Sequence, residues 1–476
     1  MSRFSVFIPK ILTAGENYGT IKWEDIKRGG GRMELEISDG AEQILKKLNN
    51  AGHMAYIAGG AVRDLLMDKT PHDYDIATSA LPEEVKALFE RTIDTGIKHG
   101  TVTVVDNKEG YEVTTFRRDG SYEDNRRPSY VEFVERPEED SRRRDFTINA
   151  MMYNPAIGLL DYFGGREDIE KRSIRCVGEP EQRFREDALR MLRAVRFRAQ
   201  LDFKIHPDTE RAIRKCAVLI RKVSGERVRD ELNKILLSGH PEYLEDLRRL
   251  GLMKYILPEL EVCFGEPQKN KYHIYDVGEH IMHTISSTPR DIVLRWSALL
   301  HDIGKPLCSS TDQNGIIHFY GHHRESRRIA VDILHRIHMD NDSIHDISVL
   351  VENHDYRVDP NYTAVKRMMA RTGAELFEKL LMLQKADNKA KNPIYYQEKK
   401  RRIDTALEIY RDVIASHQPY RISDLVVNGR DLMRIGCRQG REIGDLLKHL
   451  LDEVIIKPEM NNRKDLINRA KELRHR

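Results

Sequence analysis

Between residues 34 and 165 the apolar positions switch back and forth between helical and strand-like spacing. Ile44, Leu45 and Leu48 fall on one helical face after Met33. The apolar run ending at Ala58 predicts a buried strand, and a helix follows from Ala61 to Met67, with Gly59 and Gly60 at the turn between them. GTVTVV (100–105) and YEVTTF (111–116) are β-branched runs between glycine-containing or charged turns, which predicts strands of a mixed sheet with helices on one side. RRRDFTINAMMY (142–153) reads as a helix with Asp145 as N-cap and Ile148, Met151 and Met152 buried. FREDALRMLRAVRFRAQL (184–201) reads as one amphipathic helix, with Leu189, Leu192, Val195 and Phe197 among its apolar positions. Helical patterns return over 396–476, where Ile443, Leu446, Leu447, Leu450, Leu451 and Val454 form a packing stripe. The fold class is therefore α+β, a mixed sheet with helices followed by an all-helical remainder.

At 476 residues the chain has room for two to four domains. Its net charge of +3 hides arginine-rich clusters at 141–146, 190–198 and 399–402, which suit phosphate-backbone contact, although a charge run is more often a solvated helix face. The five cysteines are scattered without a CxxC pair and read as reduced thiols. No run approaches a membrane span and the N-terminus lacks an apolar signal core, so a cytoplasmic location is expected. Residues 1–33 form a polar, glycine-rich extension.

The candidate chemistry starts at YIAGGAVRDLLMDKTPHDYDIAT (56–78). Gly59 and Gly60 let the backbone approach a phosphate group closely, and Asp73 and Asp75 are expected on one face of a short strand with Tyr74 on the other. Two carboxylates facing a bound triphosphate suit Mg2+-dependent phosphoryl or nucleotidyl transfer. A GG turn or a DxD triplet alone is ordinary. In this order and spacing they resemble the nucleotidyltransferase superfamily that includes DNA polymerase beta, specifically its branch of template-independent tRNA nucleotidyltransferases (CCA-adding enzymes) and bacterial poly(A) polymerases.

That resemblance implies a polymerase-beta-like nucleotidyltransferase head over residues 34–165, a helical neck over 166–260, a region resembling HD phosphohydrolases over 261–395 and a helical tail over 396–476. It suggests Glu112 as a third catalytic carboxylate, although an edge-strand glutamate explains the residue as cheaply. The polar segment 116–134 is similar to the flexible loop carried near the active site by CCA-adding enzymes. RRDFTINA matches the family motif that contacts the ribose, which assigns Arg144 and Asp145 to the sugar hydroxyls and triphosphate; nucleotide binding extends by the same resemblance to Arg63 and Arg193.

Asp187 and Arg190 lie three apart, which places them on one helical face. The plain reading is an intrahelical ion pair worth a few tenths of a kcal/mol. The sharper reading uses hydrogen-bond inventories. A carboxylate accepting from an exocyclic amino group, together with a guanidinium donating to a ring nitrogen, suits both cytosine and adenine and mismatches uracil and guanine. EDxxR, here Glu186, Asp187 and Arg190, resembles the matching motif of bacterial-type CCA-adding enzymes.

A second chemistry is written in the ordered series YHIYDVGEHIMHT (272–284), RWSALLHDIGKP (295–306), FYGHHRES (319–326), LVENHD (350–355) and LQKADNKA (383–390). Imidazoles with carboxylates suit a transition metal. The series resembles the HD metal-dependent phosphohydrolases, which implies His280, His301, Asp302 and Asp387 around a first metal such as Ni2+ or Mn2+, and His322 and His354 at a second; a degenerate, structural HD region is the competing reading. The expected activity is addition of CCA to the 3′ end of tRNA from CTP and ATP. Its rivals are a poly(A) polymerase, a partial CC- or A-adding enzyme, and an HD phosphohydrolase with an RNA-binding head.

Overall fold

The computed structural model describes residues 34–120 and 130–474. The N-terminal extension and residues 121–129 of the expected flexible loop lie outside the described residues. Two compact units divide the chain. One runs up to Val223 and takes in Leu250–Leu252, and the other comprises Ser224–Arg249 and everything from Met253 onward. The segment 166–260 is thus shared between the two units.

The first unit opens with α1 (Asp39–Asn50), whose N-cap Ser38 accepts from the Ala41 amide and whose first turn carries Asp39 and Glu42. There follow β1 (Ala55–Ala58), α2 (Gly60–Leu66), β2 (Asp75–Thr78), α3 (Pro82–Leu88), β3 (Thr92–Gly96), β4 (Thr101–Asp106), β5 (Glu109–Thr115), β6 (Arg117–Asp119), β7 (Val131–Phe133), α4 (Pro137–Arg142), β8 (Met152–Asn154) and β9 (Gly158–Leu160). Seven strands form a mixed sheet in the order β3-β4-β5-β2-β1-β8-β9, with β2 and β5 parallel and the other pairs antiparallel. Strand alternation sends Ile57, Ile76, Val102, Val104 and Val113 to one face, where Ala41, Ile44, Leu45 and Leu48 of α1, Ala61 and Val62 of α2 and Val85 of α3 cover them. Tyr56, Ala58, Ala77, Phe116 and Met152 form a smaller cluster by themselves. Val134 and Leu160 pack on that cluster, while Asp75 and Glu112 stay exposed on the same face.

Four expectations change here. The strand begins at Asp75, so Asp73 lies in the approach to β2 rather than in it. β5 is an interior strand between β4 and β2, which retires the edge-strand reading of Glu112. RRRDFTINAMMY does not form the expected capped helix: it gives a 3-10 turn at Thr147–Asn149 and then β8, because Met152 and Tyr153 pair with Ala58 and Ile57 of β1. The helix expected over 184–201 is two, α5 (Pro180–Glu186) and α6 (Leu189–Leu201), separated at Asp187, whose backbone is extended (φ −142°, ψ 106°). The Asp187 carboxylate accepts from the Leu189 amide at 3.0 Å, the local side-chain competition that starts a new helix.

Helices dominate the second unit. Those that matter for its chemistry are α7 (Val277–Ser287), α8 (Ile292–Leu300), α9 (His322–Arg336), α10 (Asn341–Asn353) and α11 (Ala374–Lys389). Nearer the C-terminus, α12 (Arg441–Ile456) buries all six residues of the predicted stripe against Leu432, Leu466 and Ala470. All five cysteines are free. Among the described residues no helix is long and apolar enough to cross a membrane.

Candidate active sites

Gly59 carries the turn between β1 and α2 at φ 72°, ψ −130°, a conformation that L side chains rarely adopt. A Cβ there would stand 2.9 Å from a terminal nitrogen of Arg144 and 3.8 Å from Asp75 Oδ2. The bare backbone is therefore what lets the guanidinium and the carboxylate close over the turn. Gly60 has no such need, since a Cβ would only touch the Arg63 guanidinium at 3.6 Å.

Asp75 stands directly opposite Glu112 in the parallel β2–β5 register. Burial pushes the Asp75 carboxyl up to about 6; Arg144 opposes the rise, while Asp73 and Glu112 add to it. Crowding acids in this way is destabilising unless a cation joins them, and the oxygen-only donor set of Asp73, Asp75 and Glu112 fits a hard divalent ion.

On the arginine side, Asp145 is buried beneath Arg193, which donates Nε to its Oδ2 at 2.6 Å, and Asn149 donates to its Oδ1 at 3.2 Å. Burial alone would raise the Asp145 carboxyl, but Arg193 and Arg190 outweigh it and hold it at about 2. Arg63 is engaged by Asp64 and by Asn149, at 2.7 Å each, so it joins the site through a polar network. The Arg144 Nε is buried without a hydrogen-bond partner, as expected of a group awaiting an acceptor.

Because the helix breaks at Asp187, the plain ion-pair reading of Asp187 and Arg190 on one helical face fails. The acid that holds Arg190 at 2.7 Å is Glu186, and Arg190 also donates to the carbonyl of Arg143 at 2.8 Å. Arg183 binds the other oxygen of Glu186 and donates to the Arg142 carbonyl. The two arginines thereby fasten the helices to the RRRD segment.

In the second unit the six HD residues come together. His280 lies within α7, His301 directly after α8, His322 at the start of α9, His354 directly after α10 and Asp387 within α11. Every imidazole has its Nδ1 beside a backbone carbonyl: His280 with Ala390 (3.3 Å), His301 with Ala298 (2.8 Å), His322 with Phe319 (2.8 Å) and His354 with Val351 (2.7 Å). These contacts turn each Nε2 inward. Burial would lower His301, but without a metal Asp302 and Asp387 push it up to about 9, a proton that a bound ion would displace. Asp302 Oδ2 lies 3.1 Å from His301 Nε2 and 3.4 Å from His280 Nε2, while its Oδ1 lies 3.4 Å from both His322 and His354. Two overlapping donor sets result, His280–His301–Asp302 and Asp302–His322–His354. Asp387 Oδ1, 3.0 Å from His280, is buried without a hydrogen-bond partner, so the donors fit metal ions.

Several contributors escaped the sequence-based expectations. Lys305 and Lys391 contact the carboxylates of Asp302 and Asp387, each at 2.6 Å, and the i,i+3 and i,i+4 spacings on helical text were the available signal. Burial would raise both carboxyls, but the neighbouring His301 and Lys305 at Asp302, and Lys391 at Asp387, keep them well below the usual range. His273 packs edge-on against His280 at 5.5 Å between ring centroids.

The family profile described as "Poly A polymerase head domain" matches residues 55–175, "Probable RNA and SrmB- binding site of polymerase A" matches 202–264, and a profile for the second domain of tRNA nucleotidyltransferases matches 317–470. These matches define the class, a polymerase-beta-like nucleotidyltransferase with a helical body. A protein named CCA-adding enzyme from Ligilactobacillus salivarius is 34% identical over 435 residues, covering 90% of this chain and 95% of the relative. The chain therefore belongs to the CCA-adding enzyme family. Over a shorter stretch, the CCA-adding enzyme of Lactobacillus gasseri is 54% identical across 200 residues, so the chain matches about half the length of that relative (50%). Among solved structures, the Bacillus stearothermophilus CCA-adding enzyme in complex with CTP superposes with a TM-score of 0.69 at 31% identity, covering 91% of this chain and 97% of that one. The Thermotoga maritima CCA-adding enzyme complexed with tRNA shares the fold at TM-score 0.56 and 21% identity, over 92% and 96% of the two chains. Nucleotidyltransferases of this family depend on a divalent metal.

Proposed function

We propose that this protein adds CCA to the 3′ end of tRNA, using CTP and ATP and releasing pyrophosphate. The observation that carries the reading is the open sheet face where Asp75 opposes Glu112 beside a glycine turn roofed by Arg144. Asp73, Asp75 and Glu112 would hold Mg2+, which when bound supplies Lewis-acid stabilisation of the reacting phosphoryl oxygens. Gly59 and Gly60 leave room for the triphosphate, and Arg144 donates to it from above the turn. Asp145, held by Arg193 and Asn149, would accept from ribose hydroxyls. Arg190, steadied by Glu186, donates to the ring nitrogen of C or A, and Asp187 at the helix break accepts from the exocyclic amine. The 3′-hydroxyl of the tRNA attacks the α-phosphate, the O–Pα bond forms as the bond to pyrophosphate breaks, and the hydroxyl proton leaves through the carboxylate group. The names of the relatives, which record complexes with CTP and with tRNA, support the same substrates.

The test is incubation with tRNA transcripts ending at the discriminator base, in CTP, ATP or both with Mg2+, followed by sequencing of the 3′ ends. Addition of CCA is expected. A long A tail would make the protein a poly(A) polymerase, and CC alone a partial enzyme.

A second reading is favoured by the inward-facing imidazoles. The HD cluster would hold a transition metal such as Ni2+ or Mn2+ on His280, His301, Asp302 and Asp387, with His322 and His354 serving a second ion, and would hydrolyse phosphoesters. Metal analysis of purified protein and hydrolysis of 2′,3′-cyclic phosphates test it, with the His301 variant as control. No bound metal and no hydrolysis would leave the cluster structural.

A further inference from the structure

Asp140, in α4, is 1% exposed, and the nucleotide chemistry above makes no use of it. Its Oδ1 accepts from the backbone amide of Arg117 at 3.3 Å and from Nε of Arg143 at 2.9 Å, and its Oδ2 accepts from Arg144 at 3.1 Å. Three donors, from β6 and from the RRRD segment, therefore end on one carboxylate.

Two of the three lead to the nucleotide site, and the third leads to a hairpin. Arg144 has one terminal nitrogen on Asp140 and the other over the Gly59 turn, beside Asp75. Arg143 lends its carbonyl to Arg190, the residue that faces the base. Arg117 begins β6, which pairs with β7 through Arg117↔Phe133 to Asp119↔Val131, so its amide anchors the base of that hairpin. Burial would raise the Asp140 carboxyl, but Arg143 and Arg144 hold it below the ordinary range, so the anion is permanent at working pH.

We infer that Asp140 is a positioning residue for nucleotide binding, aiming Arg144 at the triphosphate and setting, through Arg143, the carbonyl that orients Arg190 toward the base. The identity of the ligand rests on the nucleotidyltransferase reading. Adjacent guanidiniums repel each other, and only a shared counter-charge keeps both pointing the same way. An asparagine would keep the volume but turn an NH2 group toward one of the two arginines, leaving a donor against a donor.

The experiment uses the full chain and reads CTP and UTP binding calorimetrically in the absence of tRNA, with a melting curve for each variant and KM and kcat where turnover is measurable. For Asp140→Asn, CTP binding should weaken roughly tenfold or more, preference over UTP should narrow, and KM should change more than kcat. Asp140→Glu, which restores the charge, should recover part of the loss. A folded Asp140→Asn that binds CTP within about twofold of the parent, with its selectivity intact, overturns the inference and leaves Asp140 structural. If Asp140→Asn does not fold, Arg143→Lys decides the question in the same assay, because it keeps the charge and removes the Nε contact; unchanged CTP binding would then overturn the inference. A parent protein that binds no nucleotide would refute the nucleotidyltransferase reading instead, so the two failures are distinguishable.

Discussion

The two candidate metal sites in this chain are built on opposite plans. In the head, Asp75 and Glu112 sit side by side on a sheet face with Asp73 close by, and the Asp75 carboxyl is pushed up to about 6 by burial and by its acidic neighbours. In the HD region the donors are buried, the imidazoles are fixed by backbone carbonyls and the carboxylates by lysines. Among the described residues, only the HD groups bring three donor atoms within 4.8 Å of one another. A loose acidic set suits an ion that arrives with a triphosphate, which supplies the missing oxygens and the compensating charge. A tight imidazole set suits a resident ion that remains between turnovers.

The sharpest way to break this contrast is to remove one donor from each site. Asp75→Ala should reduce nucleotide addition by roughly 10³-fold or more, measured on tRNA transcripts, and leave the metal content of the purified protein unchanged. Residual transfer near the parent rate would sink the head assignment. His301→Ala should do the reverse, with metal retention by elemental analysis falling about 100-fold in affinity and CCA addition persisting. Loss of both activities together would mean that the sites are not separable.

Smaller changes sharpen the picture of the head. Gly59→Ala places a Cβ in the Arg144 contact and forces an alanine to φ 72°, a strain of about 1–3 kcal/mol that a melting curve would register together with a higher KM for CTP. The acid limb of kcat/KM should fall near pH 6, where Asp75 gains its proton, and should move to lower pH as Mg2+ is raised. The stability sign is opposite to that of a salt-bridged aspartate. A carboxyl raised above its unfolded value of 3.8 makes the metal-free fold gain stability as pH falls from about 6 towards 4. An acid limb that ignores Mg2+ would separate Asp75 from metal binding. The smallest effect is expected from Gly60→Ala, which meets only ordinary contact with Arg63 and should leave CTP binding nearly unchanged.

Much of this was legible in the sequence because period-two runs and the GG turn carry their structural cause locally. The order of the HD residues predicted a cluster that the helices do assemble. Other features depend on distant partners. Ile148, Met151 and Met152 suit a helix face and a strand equally well, and pairing with β1 decides for β8. The break at Asp187 is hidden because apolar spacing continues across it, while the carboxylate's bond to the Leu189 amide sets it. Glu112 read equally as a third catalytic carboxylate or as an edge-strand glutamate, and β2 and β4 on either side of its strand remove the second reading. Asp140 was indistinguishable from the rest of an acidic run, and only the convergence of Arg117, Arg143 and Arg144 reveals it.

The two oxygens of Asp302 serve different histidine pairs. An ion settling on the His280–His301 side would clamp the carboxylate in the orientation that the His322–His354 side needs. Filling should then be sigmoidal, the second ion following the first, and a chelator should strip the pair together rather than leave a half-loaded protein.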